Sequence, residues 1–99
     1  MDVKKIINGL PFEWDENKEK INIRKHGISF DEAALVFFDD VRYELYDRKH
    51  SISESRNIAI GMVSKIIFVV YTERDKSNIR LISARPANKI EKRIYYGRL

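Results

Sequence analysis

Around Asp39-Asp40 the apolar pattern changes its period, and that change limits the folds open to the chain. Before it, Phe30, Ala33, Ala34, Phe37 and Phe38 recur at i, i+3, i+4, i+7 and i+8, which places them on one face of a helix. After it, Val41, Tyr43 and Leu45 alternate with Arg42, Glu44 and Tyr46, the period of a strand. Helices followed by a run of strands define an α+β domain. With 99 residues the chain has material for one modest core, so residues 1–99 read as a single domain.

The start and stop signals sharpen this outline. Phe12-Glu13-Trp14 reads as a short strand, Asp15 as an N-cap, and Gly27 as the left-handed residue that closes a helix over Glu16 to His26. The apolar stripe of this helix is thin, mainly Ile21 and Ile23 with Trp14 and Ile28 nearby. Ser29-Phe30-Asp31-Glu32 has the capping-box pattern and opens a second helix, and the two phenylalanines near its end belong to the core. Residues 1–10 carry Lys4 and Lys5 beside Ile6-Ile7, and are either a frayed lead-in or an extra edge strand.

Three more strands follow the first one after Asp40. Ile58, Ile60 and Met62 alternate, Ile66 to Tyr71 is apolar on both faces, and Ile79 to Arg85 forms the last. The polar stretches 47–51, 63–65 and 75–78 make the turns, and connections this short imply an antiparallel meander. Pro86 ends the ladder. Asn88-Lys89-Ile90-Glu91 caps a last helix to about Tyr96, with Ile90, Ile94 and Tyr95 turned inward. The expected architecture is two N-terminal helices on a four-stranded antiparallel meander with a C-terminal helix, the helices on one face and the other face free for chemistry.

Composition excludes some functions and favours others. The chain has no cysteine, which rules out disulfides and Cys-based zinc sites, and its two histidines, His26 and His50, do not suggest a metal. No apolar run approaches a membrane span and the N-terminus lacks a signal-peptide core, so the reading is cytoplasmic. A net charge of +4 and a pI near 9.4 suit a polyanionic partner, as they also suit plain solubility. Arg74, Arg80, Arg85, Lys89, Lys92, Arg93 and Arg98 crowd the C-terminal quarter, the candidate anion-binding end.

Taken in order, a set of segments resembles the BrnT toxin family, of the RelE-like fold. The matching pieces are Phe12-Glu13-Trp14-Asp15, Arg24 to Phe30, Glu32-Ala33-Ala34, Phe37-Phe38-Asp39, His50-Ser51 with Glu54 and Arg56, Thr72-Glu73-Arg74, and Ile82 to Arg85 with Ala87 and Glu91. The segment before Phe12 and Pro86 depart from the family pattern. The resemblance implies a cytoplasmic endoribonuclease that slows translation, and the scarcity of metal ligands in the sequence adds the expectation of no metal or other cofactor. It also implies a DNA-binding antitoxin of the BrnA kind covering the active face. Toxin and antitoxin would form a complex with two toxin copies that represses its own promoter, reaching operator DNA through the antitoxin.

Metal-free RNA cleavage needs a base for the 2′-hydroxyl proton, cations for the charge on the phosphorane, and a donor for the leaving 5′-oxygen. Arg56 and Arg85 are the first choices for the cations, because a guanidinium forks onto two phosphate oxygens and keeps its charge. Their alternative role is an ion pair with Glu54, Glu73 or Glu91. His26 is the natural proton carrier, with Lys25 as phosphate ligand or acid and Glu54 as the alternative base. A histidine before a C-cap glycine is equally a structural residue, and His50 in a loop is a weaker candidate. Arg74, Arg80 and Lys89 would grip the RNA backbone, and Tyr71, Tyr95 and Tyr96 are either base-stacking or core-edge residues. A second class of function, binding nucleic acid or a protein without cutting, uses the same basic surface.

Overall fold

The computed structural model describes residues 1–48, 55–74 and 77–97. Its elements run β1 (Asp2–Ile7), β2 (Leu10–Asp15), α1 (Glu16–His26), α2 (Phe30–Ala34) with a 3-10 turn over Leu35–Phe38, β3 (Tyr43–Tyr46), β4 (Asn57–Val63), β5 (Lys65–Arg74), β6 (Asn78–Pro86) and α3 (Lys89–Tyr96). No helix among the described residues is long and apolar enough to cross a membrane.

The antiparallel meander β3-β4-β5-β6 is present, but it is two-thirds of a six-stranded sheet ordered β1-β2-β6-β5-β4-β3. This corrects the expected four-stranded sheet. Residues 2–15 fold into a hairpin, and its second strand pairs parallel to β6 through Phe12 opposite Ile79 and Trp14 opposite Leu81. The hairpin turns at Asn8 (φ 47°) and Gly9 (φ 84°), the two positive-φ positions that a tight two-residue turn demands. Asn-Gly is the sequence signal for that turn, and it decides between the two readings of the N-terminal segment.

Helix α1 matches the expected boundaries. The Asp15 carboxylate accepts from the Lys18 amide, and Gly27 closes the helix at φ 69° with its N–H donating to the Ile23 carbonyl. Its attachment differs from expectation. Ile21 and Ile23 are exposed, and the one buried residue of the helix is Asn22. The Asn22 amide nitrogen donates to the Ile28 carbonyl at 2.9 Å, while its oxygen accepts from the Ala84 amide at 3.0 Å. Ala84 lies past Leu81, where the β2–β6 ladder ends. The Asn22 side chain therefore takes the place of a neighbouring strand, and it holds α1 against that part of β6.

The main core lies between this helical layer and the sheet. Trp14 meets Phe30 edge-on at 5.9 Å and Phe37 meets Tyr71 edge-on at 4.8 Å, with Ile28, Ala33, Val36, Ala59, Ile67, Val69 and Leu81 around them. Glu19 ties α1 to its neighbours, accepting from the Trp14 indole N–H at 3.0 Å and the Phe30 amide at 2.8 Å. Of the capping-box pattern at 29–32, the Ser29 hydroxyl accepts from the Glu32 amide.

At Gly61 the 3-10 turn packs directly on the sheet. A Cβ there would stand 2.8 Å from Val36 Cγ1 and 3.2 Å from the Val36 carbonyl oxygen. Gly61→Ala is therefore expected to destabilise the fold by roughly 1–3 kcal/mol, because the backbone oxygen cannot give way, and a denaturant titration measures this directly.

The third helix corrects the expectation of helices on one face. It packs on the opposite face from α1 and α2, where Tyr95 and Ala87 cover Ile58, Ile60 and Ile66 at one end of the sheet. Its capping box is complete, with Asn88 and Glu91 each accepting from the other's backbone amide. Only Tyr95 turns inward, whereas Ile90 and Ile94 are exposed. The Tyr95 hydroxyl sets this rotation by donating to Asp39 at 2.6 Å, a carboxylate that also accepts from the amides of Val41 and Met62. One hydrogen bond from an aromatic rim thus overrides the apolar pattern.

Candidate active site on the open sheet face

Beyond α3 no element among the described residues covers this sheet face, and the strand register says what stands on it. Cross-strand rows place Leu45, Ile58, Val70 and Ser83 in one line and Tyr43, Ile60, Phe68 and Arg85 in the next. Arg56 is two residues before Ile58, so by strand period it belongs to this face. The side chains of Arg56, Arg85, Ser83 and Asp47 border a concavity of about 370 Å³ whose floor is Ile58, Phe68 and Val70. Arg56 is held at the mouth of the β3–β4 connection, where its carbonyl accepts from the Asp47 amide at 2.8 Å.

Arg85 is held on this surface from several sides. Its guanidinium carbon sits 3.9 Å above the centre of the Phe68 ring. Nη1 and Nη2 donate to the two oxygens of Glu91 at 2.7 and 2.8 Å, and Nη1 also reaches the Pro86 carbonyl at 3.3 Å. The Glu91 contact raises the guanidinium pKa above its already high ordinary value. Burial pushes the Glu91 carboxyl up, but the Arg85 contact and the Asn88 amide outweigh it and hold that group below its usual range. Both partners stay ionised at neutral pH. The sequence offered Glu91 both as a capping residue of the last helix and as an ion-pair partner for an arginine, and it makes both contacts.

A second groove adjoins the first. Lys18, Ile21, Asn22, Lys25 and His26 from α1 form one wall, and Ile82 and Ser83 from β6 form the other. Ser83 lines both depressions. The register explains how. Val70 faces Ser83 while Tyr71 faces Leu81, so Ile82 is an extra residue, a β-bulge that turns it toward α1. Lys25 is exposed and His26 half-buried. Sequence reasoning missed Ser83, and a lone serine in a strand gives no signal that would have found it.

The remaining candidates are dispersed. Arg80 shares the open face but lies toward the hairpin, where it donates to Asp2 at 3.0 and 3.1 Å and to Glu13 at 2.6 Å, while Asn78 holds the other Glu13 oxygen. Arg74, at the end of β5, and Lys89, at the start of α3, are exposed. Tyr71 and Tyr95 are buried with their hydroxyls on Glu44 and Asp39, and Tyr96 is exposed. Glu54 and His50 lie outside the described residues. A larger depression, about 980 Å³, lies between the hairpin and the start of β6, where Lys4 and Lys5 stand with Ile6, Pro11, Phe12, Ser77 and Asn78.

Fold and site together define a small basic α+β protein with paired guanidinium groups on an open sheet surface and a histidine in the adjoining groove. The chain belongs to the BrnT family. The family sequence model, described as the ribonuclease toxin BrnT of type II toxin-antitoxin systems, matches residues 14–91. Among solved structures, the 1.1 Å crystal structure of the Brucella abortus ribonuclease toxin BrnT is 28% identical with a TM-score of 0.60, over 77% of this chain and 94% of that one. No curated protein matches. The family match starts beyond the β1–β2 turn, so β1 lies outside it.

Proposed function

We propose that this chain is a cytoplasmic endoribonuclease that cleaves RNA without a metal and thereby slows translation. The observation that carries the reading is that Ser83 lines both the Arg56/Arg85 concavity and the Lys25/His26 groove, so the two depressions meet at one residue. In this reading a phosphodiester sits over the apolar floor, with both guanidinium groups against its non-bridging oxygens. His26 takes the 2′-hydroxyl proton, the 2′-oxygen attacks phosphorus, and the P–O5′ bond breaks as Lys25 returns a proton to the leaving oxygen. Glu54 stays the alternative base. Arg74, Arg80 and Lys89 are assigned to the flanking backbone, Arg80 only so far as its ion pairs allow.

The antitoxin in this proposal is a DNA-binding protein of the BrnA kind that covers the open face. It would hold two toxin copies in a complex on operator DNA. A second reading, binding without cleavage, is favoured by one observation: both terminal nitrogens of Arg85 are already paired with Glu91.

The test uses the purified chain freed of its partner, with ribosomal and naked RNA in excess EDTA. Cleavage into fragments ending in 2′,3′-cyclic phosphate is expected, and adding the antitoxin should stop it. Cleavage that appears only when Mg²⁺ is restored would overturn the metal-free chemistry. Intact RNA under both conditions, with retained RNA binding, would favour the second reading.

A further inference from the structure

Glu91 joins two structures that are otherwise separate. One of its oxygens, Oε1, accepts from both Arg85 Nη1 at 2.7 Å and the Asn88 amide at 2.8 Å, while Oε2 accepts from Arg85 Nη2 at 2.8 Å. The same carboxylate that completes the capping box of α3 therefore also grips the arginine of the site. The Glu91 side chain is 13% exposed and that of Arg85 is 37% exposed. The carboxylate sits on the protein side of the pair and the guanidinium on the solvent side.

A long arginine alone would sample several rotamers and would lose that freedom when a substrate fixes it. Here three constraints fix it beforehand. Phe68 lies under its face, Glu91 takes both terminal nitrogens, and the Pro86 carbonyl touches Nη1. The fork is occupied, so a phosphate would approach through the edge and the face that Glu91 leaves uncovered.

Resting on the nuclease reading above, we propose that Glu91 is a positioning residue for RNA cleavage: through its two-pronged contact it holds the Arg85 guanidinium against Phe68 and presents its remaining edge to the phosphodiester. The role differs from that of a surface ion pair, which contributes little and orients nothing. It also differs from capping alone, because the cap needs only one of the two carboxylate oxygens.

The test uses the full chain and a defined single-stranded oligoribonucleotide. Glu91→Gln is nearly isosteric and keeps an acceptor for the Asn88 amide, but it loses the second charged contact. It should lower kcat by between about tenfold and a hundredfold with little change in KM, the range expected when a group at the reacting centre is misplaced by about an ångström. In an Arg85→Gln background the same change should have no further effect. Asn88→Ala, which loosens the start of α3 but leaves the ion pair, should cleave at nearly the parent rate.

A second readout does not depend on cleavage. In ¹⁵N spectra the Arg85 Nε–Hε signal should be sharp and ordered in the parent and merge with mobile arginines in Glu91→Gln. An ordered Arg85 signal in Glu91→Gln would overturn the proposal. So would an equal loss of rate in the Arg85→Gln background or in Asn88→Ala. If the parent chain cuts no RNA, the nuclease reading fails by itself and the Arg85 signal alone decides the positioning.

Discussion

Arg85→Gln should lower RNA cleavage by roughly 10²–10³-fold in kcat, the usual consequence of removing one preorganised donor that faces charge developing in a transition state. The expectation rests on where the guanidinium stands, over Phe68 and at the border of the open concavity with Arg56. The effect should fall mainly on kcat, since a phosphodiester carries less charge on its oxygens before attack than in the phosphorane. Single-turnover cleavage of a short oligoribonucleotide, compared with its binding by fluorescence anisotropy, separates the two terms. The fold should survive, because the pair is only partly buried and glutamine still offers Glu91 a hydrogen bond. A variant that cuts RNA at the parent rate with unchanged spectra would remove Arg85 from the site.

Asn22→Ala is expected to produce the largest loss of stability of any polar substitution in the helical layer. Both ends of the buried amide are used, one on the Ile28 carbonyl and the other on the Ala84 amide. Truncation strands a backbone donor and a backbone acceptor away from water, at about 1–3 kcal/mol each. The sum is a large share of the roughly 5–15 kcal/mol that holds a domain together. For a chain of this size it corresponds to a fall in Tm of about 10–25 °C, readable by calorimetry. Because Asn22 also anchors the helix that carries Lys25 and His26, cleavage should fall below the melting point too. An Ala variant as stable as the parent would mean that water replaces both contacts.

Asn22 shows why part of the fold was hidden. A polar residue in the middle of a thin amphipathic helix reads as solvent-facing, and Ile21 and Ile23 read as the buried stripe. The structure reverses both, because α1 does not cover the sheet broadly. It lies along the edge of β6 past the end of the β2 ladder, where backbone groups needed partners more than apolar surface needed cover. The same reasoning applies to α3. Its two isoleucines suggested an inward face, but the Tyr95 hydroxyl found Asp39, and the helix turned accordingly.

The candidate site was legible by residue type more than by arrangement. Arginine at positions 56 and 85 could be named because cationic, fork-shaped side chains at strand ends suit a phosphate, and His26 because imidazole carries protons near neutral pH. What joins them could not be named. Ser83 acquires its place from a bulge at Ile82, and Arg80, as strong a candidate on paper, is occupied by Asp2 and Glu13 from a hairpin paired to its strand.

Local information was sufficient for what depends on local physics. Helix caps at Asp15, Gly27, Ser29 and Asn88 and the switch from a period of 3.6 to 2 are set by neighbours within a few residues, and the four-strand meander follows from short connections between successive strands. The parallel pairing of β2 with β6, the placement of α3 on the opposite face, and the occupants of each guanidinium were decided only in three dimensions. They depend on contacts between residues as many as 78 positions apart, and no spacing along the chain encodes which carboxylate an arginine will meet.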